Sequence, residues 1–178
     1  MGKILVIGCP GAGKSTFSRK LAELLSIPLY PLDMVWFSGN GREHISREEF
    51  DGRLSELMSG EEWIIDGNYS RTMEWRMSCC DTVFFFDLPT EVCLNGMASR
   101  IGIKCPDRPW VETAIDPAFR ERIINFRKDL QPYIEQLLEK YSETITIMRF
   151  NSRGEVDTYL NNRATLNFGI IKNSMRQP

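Results

Sequence analysis

The segment Gly8-Cys9-Pro10-Gly11-Ala12-Gly13-Lys14-Ser15 constrains this chain more than any other, because it fills every fixed position of the pattern G-x-x-x-x-G-K-[ST]. Its context is the one such a loop needs. The apolar run Ile4-Leu5-Val6-Ile7 precedes it as a buried strand, and Phe17, Leu21 and Leu24 give the segment after it the stripe of an amphipathic helix. Small residues let the loop wrap around phosphates and aim successive main-chain N–H groups inward. The positive end of the following helix adds to that attraction. Gly8, Cys9, Pro10, Gly11, Ala12, Gly13, Lys14, Ser15 and Thr16 are therefore expected to hold a nucleoside triphosphate, ATP. Lys14 should reach the β- and γ-phosphates, and Ser15 should place its hydroxyl on Mg²⁺. Gly11-Ala12-Gly13 does not open a dinucleotide fingerprint, because Thr16 stands where the third glycine would be.

The remaining pattern predicts an α/β protein. Short apolar runs predict buried strands over 3–7, 27–31, 63–66, 82–87 and 144–150, with helical segments between them. Ser46 and Glu49 form a capping box ahead of Phe50, Leu54 and Leu57, and Gly60 ends that helix. Another helix is predicted over about 89–100. Asp116 caps a long one with Pro117 in its first turn, and its apolar positions run from Phe119 to Tyr141 with a kink at Pro132. A last short helix is predicted over 155–160, and no trusted period continues from Ala164. Strands alternating with helices favour a parallel sheet covered on both faces. With 178 residues and no repeat or linker, the expectation is one domain over residues 1–163 and a C-terminal tail over 164–178.

Composition narrows the partners. Lys plus Arg number 22 against 24 acidic residues, so the basic surplus of a nucleic-acid binder is missing and nucleic acid is disfavoured. No apolar run approaches the roughly 20 residues of a membrane span, so a cytoplasmic protein with no membrane partner is expected. Cys9, Cys79, Cys80, Cys93 and Cys105 form no CxxC pair and read as free thiols.

In open parallel sheets the carboxyl ends of the strands face the ligand crevice. Asp66 closes Trp63-Ile64-Ile65, and Asp33 follows Leu29-Tyr30-Pro31, which makes both candidates for the site. Asp66 suits the magnesium shell beside Ser15. Asp87, just before Pro89, reads instead as a turn or cap residue. Trp36 and Phe37 wall a pocket or join the core, with the pocket favoured, and His44 reads as exposed.

The phosphate loop, Ile64-Ile65-Asp66-Gly67 and Cys80-Asp81-Thr82-Val83-Phe84-Phe85-Phe86-Asp87-Leu88-Pro89 together resemble the adenylate-kinase-like superfamily of small kinases. More narrowly, Asp66-Gly67-Asn68-Tyr69-Ser70-Arg71, preceded by Leu32-Asp33-Met34-Val35-Trp36, is similar to bacterial P-loop proteins described as DNA topology modulation proteins. The likeness spans about residues 1–160. It implies a three-layer P-loop NTPase fold: a five-stranded parallel sheet with helices on both faces, a short acceptor-binding insert at 34–61 and a lid at 101–116. It also implies a magnesium-shell role for Asp66 and a phosphate-gripping role for Arg71. Arg100 stands where the first lid arginine is expected, with Lys104 and Arg108 in the lid and Arg120 and Arg127 on the helix behind. Asn151 and Ser152 would border the adenine.

Phosphoryl transfer asks mainly for positioning and charge neutralisation. The candidate catalytic residues are Lys14, Asp33, Arg100, Arg108 and Arg127. Arg120 and Arg127, seven residues apart, fall on one face of the expected long helix. Asp33, Trp36, Arg42, Asn68 and Arg71 outline the acceptor site. There Asp33 would orient or deprotonate a hydroxyl, whereas Arg42 and Arg71 would matter more for a phosphate acceptor. The expected protein is a kinase using ATP and Mg²⁺ on a nucleoside, nucleotide or similar small-molecule acceptor. The alternative is a nucleotide-operated ATPase or binding protein, with DNA or another protein as partner and no small acceptor.

Overall fold

Apolar runs of three to six residues are too short for helices and long enough for buried strands. In the computed structural model, which describes residues 2–38 and 43–174, they become β1 (Lys3–Gly8), β2 (Leu29–Pro31), β5 (Trp63–Asp66), β6 (Thr82–Phe86) and β7 (Thr146–Phe150). These five pair in parallel in the order β2-β5-β1-β6-β7. Ile4, Leu5, Val6 and Ile7 on the central strand are fully buried, as a strand covered on both faces requires. A small antiparallel hairpin, β3 (Phe37–Ser38) with β4 (Glu43–His44), stands apart from the sheet, and the sequence pattern did not signal it.

Alternation along β6 sorts the core. Phe84 and Phe86 meet Phe17 of α1 (Lys14–Leu25), with ring centroids 4.8 and 5.3 Å away. Phe84 also packs edge-on against Tyr159 of α9 (Arg153–Ser174). Phe85 faces the other way, under the Arg149 guanidinium, which in turn pairs with Glu135 of α8 (Gln131–Tyr141). The same face takes α4 (Ser70–Cys79), whose Met73 and Met77 are fully buried.

The Ser46 cap works as read: its hydroxyl accepts from Glu49 N at 3.0 Å and opens α3 (Arg47–Met58). The Asp116 carboxylate likewise accepts from Ala118 N and opens α6 (Pro117–Ile124). Beyond that point the expected long helix is corrected. It breaks at Asn125 and again at Leu130, giving α7 (Phe126–Asp129) between α6 and α8. Pro132 therefore sits in the first turn of α8, where a missing N–H breaks no bond, rather than at a kink. Arg120 and Arg127 lie on different helices, so their seven-residue spacing does not place them on one face. Two helices had no clear signal: α2 (Leu32–Trp36), only five residues long, and α4, which no side chain caps. The final helix α9 runs well beyond the predicted 155–160.

The packing that matters most for the site lies between α5 (Thr90–Ala98) and the glycine loop. A Cβ on Gly96 would fall 2.1 Å from the Gly11 carbonyl oxygen, and one on Gly11 would fall 2.1 Å from the Cys93 carbonyl. The helix thus rests directly on the loop's main chain. Gly96→Ala should lose about 1–3 kcal/mol by overpacking and weaken triphosphate binding at the same time. Denaturant melts and calorimetry with Mg-ATP check this, and an unchanged loop affinity would contradict the contact.

Candidate active site

The strand-to-helix turn from β1 into α1 is built to leave amides free. Gly13 ends it in the left-handed region at φ 103°, and no side chain caps α1, so its first-turn N–H groups are available to an anion. The loop is braced from outside. The Asn68 Oδ1 accepts from Gly8 N at 3.0 Å, and its Nδ2 donates to Gly8 O at 2.9 Å. Lys14 Nζ folds back to donate to the carbonyls of Gly8 and Cys9, each at 2.9 Å. Burial lowers the pKa of that lysine, while Asp66 opposes the shift.

Asp66 ends β5 beside the loop, 5% exposed, with Oδ1 buried and unpartnered. Burial lifts its carboxyl to about 6, against the pull of Lys14 and of the Ser15 hydroxyl beside it. An orphaned buried carboxylate oxygen next to a hydroxyl and a phosphate cradle fits Mg²⁺, a hard cation that keeps several waters and takes phosphate oxygens. Among the described residues no cluster of three His, Cys, Asp or Glu offers a dedicated metal cage, so an ion here would rest on few protein donors, with Ser15 and Asp66 among the candidates.

Across a cleft of about 1300 Å³, Asp33 lies in the first turn of α2 and accepts a hydrogen bond from Tyr69 Oη at 2.8 Å. Burial raises its pKa, and Tyr69, Lys14, Arg108 and Arg100 pull it back. The walls here are aromatic. Trp36 stacks on the exposed His44 at 4.8 Å, and Phe37 meets Trp110 edge-on at 4.8 Å. The segment carrying Trp110 is tied at a second point by the Arg19–Asp107 ion pair. Arg100 lines the cleft with Nε and Nη2 buried and unpartnered. Arg108, 8% exposed, pairs with Glu112.

The structure therefore brings most of the glycine loop, Asp33, Trp36, Asp66, Asn68, Arg100 and Arg108 to one cleft. It places others elsewhere. Arg71 pairs with Asp51 of α3 outside the main cleft, and Arg127, half exposed, pairs with Asp87. Asp87 also takes Arg149, so it anchors two arginines and does not cap α5, whose N-cap is Pro89. Asn151 and Ser152 are exposed and build the cap of α9, Ser152 Oγ accepting from Glu155 N and Glu155 from Asn151 N. The cleft-lining residues of that helix are instead Arg153, Val156, Asp157 and Leu160. Arg42 lies outside the described residues.

Two residues escaped the sequence reading. Arg76 is fully buried and donates to the carbonyls of Gly67, Asn68 and Tyr69, fixing the turn after Asp66. Tyr69 carries the hydrogen bond to Asp33. The Asp-Gly-Asn-Tyr segment marked the place, but nothing local foretold that an arginine seven residues on would hold it.

Asp66 yields a pH prediction for the protein free of nucleotide and metal. Its folded pKa of about 6 lies above the ordinary 3.8, so the folded state holds a proton that the unfolded chain releases first. Stability must fall as pH rises through that window, by about 3 kcal/mol at most. The melting temperature of Asp66→Asn relative to the wild type should therefore climb between pH 4 and pH 8 in EDTA. A gap that stays constant over this range would refute the buried ionisation.

No family model matches the chain, and no curated protein matches it. Among solved structures, it is similar to a shikimate kinase from Acinetobacter baumannii, described as a complex with shikimate. Identity is 20%, the match covers 99% of this chain and 96% of that one, and the TM-score is 0.56. A shikimate kinase from Bacteroides thetaiotaomicron is 21% identical over 92% of this chain and 96% of that one, with a TM-score of 0.49. Nothing in these comparisons supports the narrower resemblance to DNA topology modulation proteins. The likeness to the Acinetobacter enzyme is one of architecture: this chain has a P-loop kinase fold, a five-stranded parallel sheet flanked by helices.

Proposed function

We propose that the protein is an ATP-dependent small-molecule kinase whose acceptor presents a hydroxyl group to Asp33. The observation that carries this reading is a half-buried carboxylate, Asp33, sharing one cleft with Lys14 and the glycine loop. A carboxylate in that position is suited to take a proton and repels a phosphate. The arginine that would have gripped an acceptor phosphate, Arg71, is engaged by Asp51 instead.

The steps follow from these placements. The loop amides and Lys14 hold the β- and γ-phosphates in line with the acceptor. Asp33 accepts the hydroxyl proton as the acceptor oxygen bonds to the γ-phosphorus, and the bond to the bridging oxygen breaks to release ADP. Arg100, with two unpartnered donors, and Arg108 lie in the same cleft to balance charge on the transferring group. Magnesium, held by Ser15 and Asp66, would neutralise charge on the β- and γ-oxygens. Trp36, Phe37 and Trp110 give the acceptor apolar walls and exclude water that would otherwise compete.

A panel of nucleosides, nucleotides, shikimate and other small alcohols, assayed with Mg-ATP, tests the proposal. ATP-dependent phosphorylation of a hydroxyl is expected. Asp33→Asn should cut kcat by about 10²-fold or more, and Lys14→Ala should abolish triphosphate binding. If ATP binds and no acceptor is phosphorylated, the nucleotide-operated ATPase becomes the better account.

A further inference from the structure

Tyr69 occupies a backbone conformation that side chains avoid, at φ 37° and ψ 66°. The only other described non-glycine residue with positive φ is Ser26, which merely ends α1. Such a conformation costs on the order of 1–3 kcal/mol and persists where surroundings over-determine it. Here they do. One buried guanidinium, Arg76, donates Nη1 to Gly67 O at 2.8 Å and Nη2 to both Asn68 O and, at 3.0 Å, Tyr69 O. No carboxylate is its partner in any of these bonds, and burial pushes its pKa down to about 9. The ring is held at its other end, stacked on Phe50 at 5.4 Å and edge-on to Trp36 at 6.2 Å. All this aims one oxygen atom at one place, Asp33 Oδ1.

We infer that Tyr69 is a positioning residue whose phenol pins one oxygen of Asp33 and leaves the other to receive the acceptor's proton. This rests on the kinase reading above and names the residue that sets Asp33 for the alcohol acceptor. A phenol that stays protonated can donate here and cannot act as the base. Burial and the neighbouring Asp33 both raise its pKa, which keeps the proton on the phenol. The groups facing Asp33 are Tyr69 from the β5–α4 turn, Lys14 from α1, Asp66 at the end of β5, Arg100 beyond α5, and Arg108 from the lid. Of these, Tyr69 supplies the hydrogen bond.

Tyr69→Phe tests the inference, since it keeps the ring on Phe50 and Trp36 and removes only the oxygen. The first readout needs no acceptor: titration of Asp33 by carbon NMR in protein carrying labelled aspartate, with Asp33→Asn assigning the signal. The hydrogen bond favours the carboxylate, so its loss should raise the midpoint by about one unit. The second uses the alcohol found in the panel. There kcat should fall about tenfold with KM for ATP unchanged, and the acidic limb of the rate profile should move up with the midpoint. An unmoved midpoint overturns the inference, and so does a moved midpoint with unaltered kcat. A moved midpoint with no phosphorylated acceptor in the wild type would overturn the kinase reading and still support the hold of Tyr69 on Asp33.

Discussion

The site depends on a glycine loop that keeps its shape while no side chain caps the helix it opens. Main-chain groups left without partners normally collapse onto one another or onto water. Here neighbours hold the loop from outside. The Asn68 side chain grips both polar atoms of Gly8, and the end of β6 accepts from Cys9 N through Phe86 O at 3.2 Å. The α5 backbone closes on Gly11 at a distance that no side chain could share. Every other feature of the cleft is arranged around that fixed cradle.

Electrostatics comes next. Asp66 is buried, Lys14 and Asp33 are half-buried, and loss of solvent pushes each toward its neutral form. Alone, none of them would be stable as an ion in such surroundings. Lys14 eases the ionisation of both carboxylates, which repel each other, and polyphosphate with magnesium would complete the charge pattern. Instability without ligand is then the counterpart of affinity with it.

The segment over residues 101–116 follows the same logic. Its Asp107 and Trp110 reach Arg19 of α1 and Phe37 of β3 respectively, so it bridges two walls of the cleft. Both contacts are small, an ion pair and an edge-on ring pair, and contacts of that size open readily.

What the sequence by itself determined was the local chemistry: the loop's glycines, Asp66 at one strand end and Asp33 just beyond another, and the caps at Ser46 and Asp116. Each follows from a few consecutive residues, because strand period, turn conformation and capping are settled within one or two turns of chain. Tertiary structure decided where the long side chains ended. Arg71 went to Asp51, Arg127 to Asp87, and Asn151 and Ser152 went to a helix cap, while Arg76 and Tyr69 took on work that no local pattern announced. An arginine's destination is set by which carboxylate or carbonyl the packed elements bring within its reach. Those partners come from other elements or from the far side of a turn, and the chain must fold before they meet.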